Sequence, residues 1–353
     1  MVIIFFPKVS KFGPDRFSPG FCKESLLRAQ ICSVGAYLPD KRMSNEEFTQ
    51  FLDTSDEWIM SNTGIKYRHV AGEDQAASDL GLEAAKRSLE KTNLSPDDVD
   101  LILVATATPD YRGFPSTACI IQHKLGARRA AAFDLSAGCT GFVYALETAR
   151  NYIMSGSAKN VLVVAAEVNS RILDYTDRST CVLFGDGAGA VLVSNGAAKD
   201  DDRGIIDSIL RSDGSKAWVL TVPGGSRTPR HPECGSAGRF LTMKGGPVYK
   251  FAVRVIDEVV TTLLKRNGLT LDDLKFIVPH QANIRIINAA AKRLNVPVER
   301  FFVNIRDVAN TSAASIPLAL FDMTQAGKLT IGDLIIIVGF GGGLTYGGNL
   351  IRW

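Results

Sequence analysis

Short apolar runs alternate with amphipathic stretches along most of the chain. Runs such as 161–166 and 334–340 are almost uninterrupted and rich in Val and Ile, which is typical of strands covered on both faces of a sheet. They fall well short of the roughly 20 apolar residues that cross a bilayer. The pattern therefore predicts a globular α/β protein with buried strands and no membrane-spanning segment.

Three pairs of segments repeat along the chain. Segment 89–109 resembles 263–282 at a constant offset, and in each copy an amphipathic helix, a short acidic turn and an apolar strand follow one another. The other pairs share a small-residue helix or a Gly-rich turn before a strand, and they are 132–146 with 304–320 and 184–194 with 339–353. Chance explains any one pair, whereas duplication of one α/β unit explains all three. We predict two related halves packed about a pseudo-twofold axis.

The repeats divide the chain into four regions. They are an N-terminal extension (1–26), a first half (27–200), a lid or connecting segment rich in Gly, Pro and Ser (201–244), and a second half (245–353). The extension is basic but lacks a long apolar core and a small-residue cleavage site. A disordered extension or an upstream start codon is therefore favoured over a transit peptide.

Composition and charge narrow the classes of function. The 353 residues are 46% apolar with a net charge of +3, so a large core is expected and a nucleic-acid footprint is not. The six cysteines include no CxxC pair and no Cys/His spacing suited to zinc, which predicts reduced thiols, no metal site and a cytosol-like compartment.

Cys139 lies in the segment SAGCTGF at the start of an apolar helix. Small neighbours let the backbone approach a ligand, and the N–H groups and dipole of the helix start favour a thiolate. This is the environment of a nucleophile. The alternative is a small buried cysteine that only packs between two elements.

His280 and Asn310 are the candidate partners of Cys139. His280 follows a buried strand directly, at the end where α/β folds place their sites. Asn310 stands in the turn before the second small-residue helix, close to the position that matches the Cys139 turn. Each residue alone has a structural explanation, as a strand-end histidine or a turn asparagine. Two halves related by a pseudo-twofold axis would bring all three residues to one central site.

At this point the sequence resembles the 3-oxoacyl-acyl-carrier-protein synthase III family of the thiolase-like superfamily. The resemblance covers 27–353 and is carried by the Cys139 turn and by DTSDEWI (53–59), PHQANIR (279–285), NTSAAS (310–315) and GFGGGLTYG (339–347). It implies a homodimeric thiolase fold with a five-stranded mixed sheet in each half. It also implies acyltransferase activity that starts fatty-acid synthesis, without a cofactor.

The resemblance also implies roles for individual residues. Cys139 takes the acyl group from acyl-CoA, His280 and Asn310 promote decarboxylation of malonyl-acyl carrier protein (malonyl-ACP), and the amides of Cys139 and Gly342 form the oxyanion hole. The CoA and pantetheine contacts map to Trp58, Arg178, Gly245 and Asn283. Phe114 maps to the acyl pocket of the partner subunit. Carrier docking maps to the basic residues Lys250, Arg285, Lys292 and Arg293.

Two positions depart from the family pattern. Asn62 replaces an arginine that in several members completes the adenine site, and Ala309 replaces a glycine before the asparagine. Asn62 leaves room for a specialised condensing enzyme or acyltransferase of the same family with another acyl donor or acceptor. A non-catalytic partner subunit lacks the nucleophilic cysteine that is present here. A degradative thiolase needs a second cysteine near the C-terminal glycines, and none stands there.

Overall fold

The computed structural model describes residues 28–196, 202–222 and 240–353. The extension predicted at 1–26 lies outside the described residues, as do residues 201 and 223–239 of the predicted lid. The first half contains seven strands and five helices, which are β1 (Ala29–Tyr37), β2 (Arg42–Ser44), β3 (Tyr67–His69), β4 (Leu101–Ala105), β5 (Ala131–Leu135), β6 (Asn160–Glu167), β7 (Gly187–Asn195), α1 (Asn45–Phe48), α2 (Asp56–Thr63), α3 (Ala77–Leu89), α4 (Thr117–Leu125) and α5 (Gly141–Met154).

The remaining described residues form six further strands and four helices. These are β8 (Gly204–Ser212), β9 (Leu220–Thr221), β10 (Thr242–Met243), β11 (Phe276–Pro279), β12 (Leu334–Gly341), β13 (Thr345–Arg352), α6 (Gly245–Arg266), α7 (Ile284–Leu294), α8 (Ile305–Val308) and α9 (Ser315–Gln325). Strand β8 lies within 201–244, so part of the segment predicted as a lid or connection joins the second sheet.

Two mixed sheets carry the fold, and their strand orders match. The first sheet has the order β1-β7-β6-β4-β5 and the second the order β8-β13-β12-β11, when both are read from the same side. Each sheet contains an antiparallel pair, β7 with β6 in the first sheet and β13 with β12 in the second. The second strand of that pair also lies parallel to the next strand, so β6 pairs with β4 and β12 pairs with β11. The duplication predicted from the sequence repeats is therefore present in the topology.

The second sheet has four strands where five are expected. At the fifth position, outside β11, only one bridge forms, between Ile277 and Phe301, with the Phe302 N–H donating to the Ile277 carbonyl at 3.0 Å. The extended segment is short because a 3₁₀ turn ends at Arg300 and α8 begins at Ile305. The chain has no room there to extend the pairing.

Alternation along the strands builds five layers. In β4, Leu101 and Leu103 face helices α5 and α9, whereas Ile102 and Val104 face α3 and α4. In β12, Ile335 and Ile337 join the same central core, and the opposite face of that sheet packs on α6 and α7. Helices α5 and α9 thus lie between the two sheets, so the predicted layered α/β fold is confirmed.

The acidic turns of the first repeat are helix-cap motifs. Asp98 accepts hydrogen bonds from the backbone and hydroxyl of Ser95, at 2.8 and 2.6 Å, just before β4. Asp273 accepts the same two bonds from Thr270 at 2.7 and 2.8 Å, just before β11. These matched turns fix where both strands enter their sheets. The ends of β4 and β11 consequently reach equivalent depths in the two halves.

Candidate active site

The three candidate residues line one cavity. Cys139, His280 and Asn310 all contribute to a cavity of about 610 Å³ that lies between the two halves. Cys139 begins α5 through a 3₁₀ turn, His280 follows β11, and Asn310 precedes α9. All three are buried. The duplicated fold thus brings Cys139 together with two residues that lie more than 140 positions further along the chain.

Backbone from the second half closes around Cys139. A Cβ added at Gly341 would lie 3.1 Å from the Cys139 sulfur, and a Cβ at Gly138 would lie 3.2 Å from the Gly342 nitrogen. Gly138 also has φ of +52°, a conformation that side chains disfavour. Glycine at these positions lets the Gly341–Gly342 backbone approach the nucleophile turn. The N–H groups of Cys139 and Gly342 both reach the thiol as hydrogen-bond donors.

The thiol is protonated at neutral pH. Burial raises the pKa of the Cys139 thiol to about 11, although the Ser312 hydroxyl and the amides of Cys139 and Gly342 act in the opposite direction. The prediction that this turn favours the thiolate is therefore wrong in its net effect, because the loss of water outweighs the donors. Attack on a thioester requires a group that takes the thiol proton.

His280 is held as a neutral hydrogen-bond donor. Its Nδ1 lies 2.6 Å from the Ser315 hydroxyl, which also accepts the Gln281 N–H at 3.3 Å. Among the described residues Nδ1 is the acceptor that lies within reach of the Ser315 hydroxyl, so we assign the hydroxyl proton to this bond and the imidazole proton to Nε2. Burial lowers the pKa of His280 to about 3. The imidazole is therefore neutral at physiological pH with an Nε2–H available.

Asn310 is oriented by its own turn. Its Oδ1 accepts the Ser312 N–H at 2.9 Å, which leaves the side-chain NH₂ as the donor for the cavity. Its backbone is tied to the first half, since its N–H donates to the Leu183 carbonyl and its carbonyl accepts the Gly185 N–H, both at 3.0 Å. The preceding Ala309 has φ of +59° and ψ of −161°, which is a region used mainly by glycine.

The cavity mouth holds the residues predicted to contact CoA. Trp58, Arg178, Gly245 and Asn283 line the same cavity as Cys139. The Arg178 guanidinium lies 4.7 Å from the centre of the Trp58 ring, which is a cation–π contact. Asn283 begins α7 by accepting the Arg285 N–H at 2.8 Å. The mouth is thus built from α2 of the first half and α7 of the second.

Asn62 is bonded into this mouth. Its Oδ1 accepts a hydrogen bond from the Arg285 guanidinium at 2.9 Å, and its NH₂ donates to the Trp58 carbonyl at 2.8 Å. With asparagine instead of arginine at position 62, the mouth has one positive charge fewer, and the Asn62 side chain holds the Arg285 guanidinium in place. Arg285 is held beside the indole that Asn62 supports.

Comparison with known proteins gives the family. A family model described as 3-oxoacyl-[acyl-carrier-protein (ACP)] synthase III matches residues 133–214, and the model of its C-terminal part matches residues 264–353. Beta-ketoacyl-[acyl-carrier-protein] synthase III of Clostridium acetobutylicum is 48% identical over 325 residues, which cover 92% of this chain and 98% of that protein. The chain belongs to this synthase III family.

Solved structures of the family share the fold. The crystal structure of 3-oxoacyl-[acyl-carrier-protein] synthase III from Aquifex aeolicus is 45% identical with a TM-score of 0.85, and it covers 92% of this chain and 100% of its own. The priming beta-ketosynthase of the R1128 polyketide pathway is 36% identical with a TM-score of 0.85, covering 94% and 98%. The thiolase fold and the condensing-enzyme family expected from the sequence are confirmed.

Several residues implied by the family resemblance lie away from the cavity. Phe114 is 92% exposed on the surface of the first half. Lys250, Lys292 and Arg293 are exposed on α6 and α7, and of the four basic residues only Arg285 lines the cavity itself. Arg293 pairs with Asp257 at 2.7 Å. Phe114, Lys250, Lys292 and Arg293 therefore lie on the outer surface and not at the reaction centre.

Sequence reasoning missed three buried polar residues beside the site. Ser315 bonds His280, Glu167 bonds Ser312 at 2.8 Å, and the Ser312 hydroxyl acts to lower the pKa of the Cys139 thiol. A signal for Glu167 was available, because a carboxylate that ends the apolar run VLVVAA has to find buried partners. The two serines gave no such signal, since hydroxyls at a helix start are common.

Two properties of the described residues concern metal binding and membrane-spanning helices. Among them no group of three or more His, Cys, Asp and Glu side chains is arranged to hold a metal ion. None of the described helices is both long and apolar enough to cross a membrane. The four cysteines in the described ranges, Cys32, Cys119, Cys139 and Cys181, are free thiols.

Proposed function

We propose that this chain initiates fatty-acid synthesis by condensing an acyl-CoA with malonyl-ACP through an acyl-Cys139 intermediate. The product is a 3-oxoacyl-ACP, and the enzyme is an acyltransferase. The observation that carries the proposal is the single cavity that Cys139, His280 and Asn310 line, with two backbone N–H groups at the thiol. A relative named synthase III aligns with 92% of this chain at 48% identity.

The first step transfers the acyl group to Cys139. Attack by sulfur places negative charge on the thioester oxygen, and the N–H groups of Cys139 and Gly342 stabilise that charge. Both donors are backbone groups fixed by the approach of Gly341–Gly342 to the nucleophile turn. They therefore require no reorganisation when the charge develops.

The second step decarboxylates malonyl-ACP. Loss of CO₂ leaves an enolate-like thioester oxygen, for which the His280 Nε2–H and the Asn310 NH₂ are the donors. The low pKa of His280, caused by burial, keeps this donor neutral across physiological pH. Removing one such donor typically costs about 10²- to 10³-fold in rate. The carbanion then attacks the acyl-Cys139 carbonyl, and the cysteine sulfur leaves.

Acyl-CoA enters past Trp58 and Arg178. Trp58 is 39% exposed, so part of the indole can stack on adenine while Arg178 stays near the phosphates. The pantetheine arm passes Gly245 and Asn283, which line the route to Cys139. Asn62 contributes by holding Arg285 and supporting the indole, instead of by adding a charge.

The partners follow from surface chemistry. Exposed Lys250, Arg285, Lys292 and Arg293 suit an acidic carrier protein. Phe114, an exposed aromatic side chain, suits a homodimer in which it reaches the acyl pocket of the partner subunit. Nucleic acid and membrane are not proposed as partners, and the reaction needs no cofactor. Free thiols suit a cytoplasmic location, with a plastid-type organelle as the alternative if 1–26 is a transit peptide.

The test is to incubate the purified chain with acyl-CoAs from acetyl through branched and medium chains and to weigh the Cys139 peptide by mass spectrometry. Loading of acetyl or a short branched group, followed by condensation with malonyl-ACP, supports the proposal. Loading of only long or aromatic groups supports the alternative, a specialised condensing enzyme or acyltransferase. Asn62 and the 36% identity to a priming beta-ketosynthase of a polyketide pathway favour that alternative.

A further inference from the structure

Glu167 is a buried carboxylate that the mechanism above does not use. It ends β6 and is fully shielded from solvent. Its Oε2 receives the Ala107 N–H at 3.0 Å and the hydroxyls of Thr106 and Thr108 at 3.3 and 2.8 Å. Because a carboxylate can only accept hydrogen bonds, both hydroxyls donate to it. The first half thus holds this one oxygen of Glu167 with three donors.

The other carboxylate oxygen reaches the second half. Oε1 of Glu167 accepts the Ser312 hydroxyl at 2.8 Å and the Ala313 N–H at 3.4 Å. Both bonds are buried, and both run from the end of β6 to the turn Ser312–Ala314 that precedes α9. A lost bond would leave a buried polar group without a partner, which costs more than the bond itself contributes. Glu167 therefore fixes this turn against the first half.

The turn that Glu167 holds has an unfavourable backbone conformation. Ser312 has φ of +51°, and Ala309, three residues earlier, has φ of +59°. Residues other than glycine adopt such angles only where their surroundings hold them there. Asn310 lies between the two positions, and its own backbone bonds to the segment 183–185. The conformation around Asn310 is thus maintained from both sides by contacts with the first half.

The Ser312 N–H sets the direction of the Asn310 amide. It donates to Oδ1 of Asn310 at 2.9 Å, which leaves the side-chain NH₂ as the donor for the cavity. Half a turn of the amide about its last bond would exchange the NH₂ for the oxygen. An acceptor would then stand where the enolate-like oxygen develops. The position of the Ser312 backbone therefore decides whether Asn310 offers a donor to that oxygen.

We propose that Glu167 is a positioning residue for decarboxylation, which holds the turn at Ser312 so that the Asn310 NH₂ stays directed at the thioester oxygen of malonyl-ACP. The proposal rests on the condensing function proposed above. Glu167 and Ser312 do not line the cavity, whereas Asn310 does. Glu167 therefore acts through Ser312 and Asn310, and it exchanges no proton with the substrate.

Two substitutions release the turn by different routes. Three donors surround Oε2, so in Glu167→Gln the amide oxygen takes that place and the NH₂ faces the turn. An NH₂ group cannot accept the Ala313 N–H, so that bond is lost. Ser312→Gly removes the hydroxyl bond to Oε1 instead, and glycine accepts the positive φ at this position.

The test measures decarboxylation by itself. CO₂ release from malonyl-ACP is followed in the Cys139→Ala background, where acyl transfer does not contribute, with and without Glu167→Gln or Ser312→Gly. Each variant is expected to lower kcat by about tenfold, because a small misplacement of a catalytic group is costly. The KM for malonyl-ACP is expected to stay unchanged, because neither residue lines the cavity.

A double-mutant cycle separates positioning from general damage. In a chain that also carries Asn310→Ala, Glu167→Gln is expected to lower CO₂ release no further, because the donor that Glu167 positions is gone. A further tenfold loss in that chain overturns the proposal. Wild-type kcat in both Glu167→Gln and Ser312→Gly overturns it as well, and Ser312→Gly decides alone if Glu167→Gln does not fold.

Acetyl transfer gives a second readout in chains that keep Cys139. It is expected not to slow in Glu167→Gln, because the Glu167 charge adds to burial in raising the pKa of the Cys139 thiol. Equal slowing of acetyl transfer and CO₂ release would show general damage to the site and overturn the proposal.

The matched control is Asp207→Asn, another change of a carboxylate to its amide. The Asp207 side chain is 15% exposed and accepts bonds from Arg266 at 2.8 Å and Asn267 at 2.9 Å, and none of these residues lines the cavity. This variant is expected to lose stability in urea unfolding and to keep the kcat for CO₂ release. An equal loss of kcat in the control overturns the assignment to Glu167. A Cys139→Ala chain that releases no CO₂ overturns the proposed function instead.

Discussion

The two halves use one turn for different chemistry. Before α5 the 3₁₀ turn Gly138–Thr140 begins at φ of +52°, and before α9 the turn Ser312–Ala314 begins at φ of +51°. Cys139 therefore corresponds to Ala313, and Gly138 corresponds to Ser312. The strand that ends beside each turn comes from the other half. Gly341, at the end of β12, approaches Cys139, and Glu167, at the end of β6, contacts Ser312 and Ala313.

The difference shows how the duplicated fold divides the work. The first half supplies the nucleophile Cys139 and the buried carboxylate of Glu167. The second half supplies His280, Asn310 and the Gly342 N–H, which we propose as the hydrogen-bond donors. The cavity mouth draws on both halves, because Trp58 and Arg178 lie in the first half and Gly245 and Asn283 lie in the second. Neither half alone contains a complete site.

The largest expected effect comes from the first half. Cys139→Ala removes the sulfur that we propose carries the acyl group, so transfer from acyl-CoA is expected to fall to background. Because the donors of the second half remain, this variant is expected to retain decarboxylation of malonyl-ACP. Labelled acetyl-CoA and CO₂ release measure the two activities. Stable labelling of the variant at another residue would contradict the assignment of the nucleophile.

The donors of the second half give the complementary result. His280→Ala and Asn310→Ala are expected to form acyl-Cys139 and to lose condensation by about 10²- to 10³-fold each. Acyl-enzyme is measured by mass spectrometry and condensation by the appearance of 3-oxoacyl-ACP. Normal condensation in either variant would remove that residue from the decarboxylation step.

The neutral state of His280 sharpens the comparison through pH. Above pH 6.5 the His280 imidazole is neutral in both the folded and the unfolded chain. Below pH 6.5 the imidazole of the unfolded chain binds a proton, but the buried imidazole of the folded chain stays neutral because its pKa is about 3. Stability from this group is therefore lost as pH falls from about 6.5 to 3, by about 2 kcal/mol at pH 5. Urea unfolding of wild type and His280→Gln at pH 7.5 and 5 measures it. Equal pH dependence in both proteins would mean that the imidazole charges in the native state.

The carrier surface of the second half is expected to give a smaller effect. Arg293→Ala, which changes an exposed arginine outside the cavity that pairs with Asp257 at 2.7 Å, is expected to raise the KM for malonyl-ACP about tenfold and to weaken its salt dependence, with little change in acetyl loading. Arg266→Ala is the control, since Arg266 is an exposed arginine of α6 that pairs with Asp207 at 2.8 Å. Equal effects of the two substitutions would indicate general charge attraction instead of a docking site.

The sequence predicted the layered α/β architecture and the residues Cys139, His280 and Asn310 because both leave patterns along the chain. Buried strands appear as apolar runs, and the repeated acidic turns mark equivalent strand entries. Ser312 leaves no such pattern, and although Glu167 is marked as a carboxylate that ends an apolar run, the contact between the two residues forms only when the halves pack. The thiol pKa was misjudged for the same reason: donors near Cys139 can be read from the helix start, but its burial depends on the facing half. The shortened fifth strand depends on where the 3₁₀ turn ends and α8 begins, which periodicity does not resolve.

The smallest effect concerns Ala309, where the second half keeps a side chain in a conformation typical of glycine. Holding alanine at φ of +59° and ψ of −161° reduces the stability of the fold by about 1 to 3 kcal/mol. Replacing it with glycine relieves this strain, but it costs about 0.5 to 1 kcal/mol of chain entropy and about 0.8 kcal/mol for the buried methyl group that is lost. Ala309→Gly is therefore expected to stabilise the protein by up to about 1 kcal/mol in urea unfolding. Ala313→Gly, a buried alanine without positive φ, is the control and is expected to lose about 1 to 2 kcal/mol. Equal losses in both variants would mean that the turn before Asn310 stores no strain.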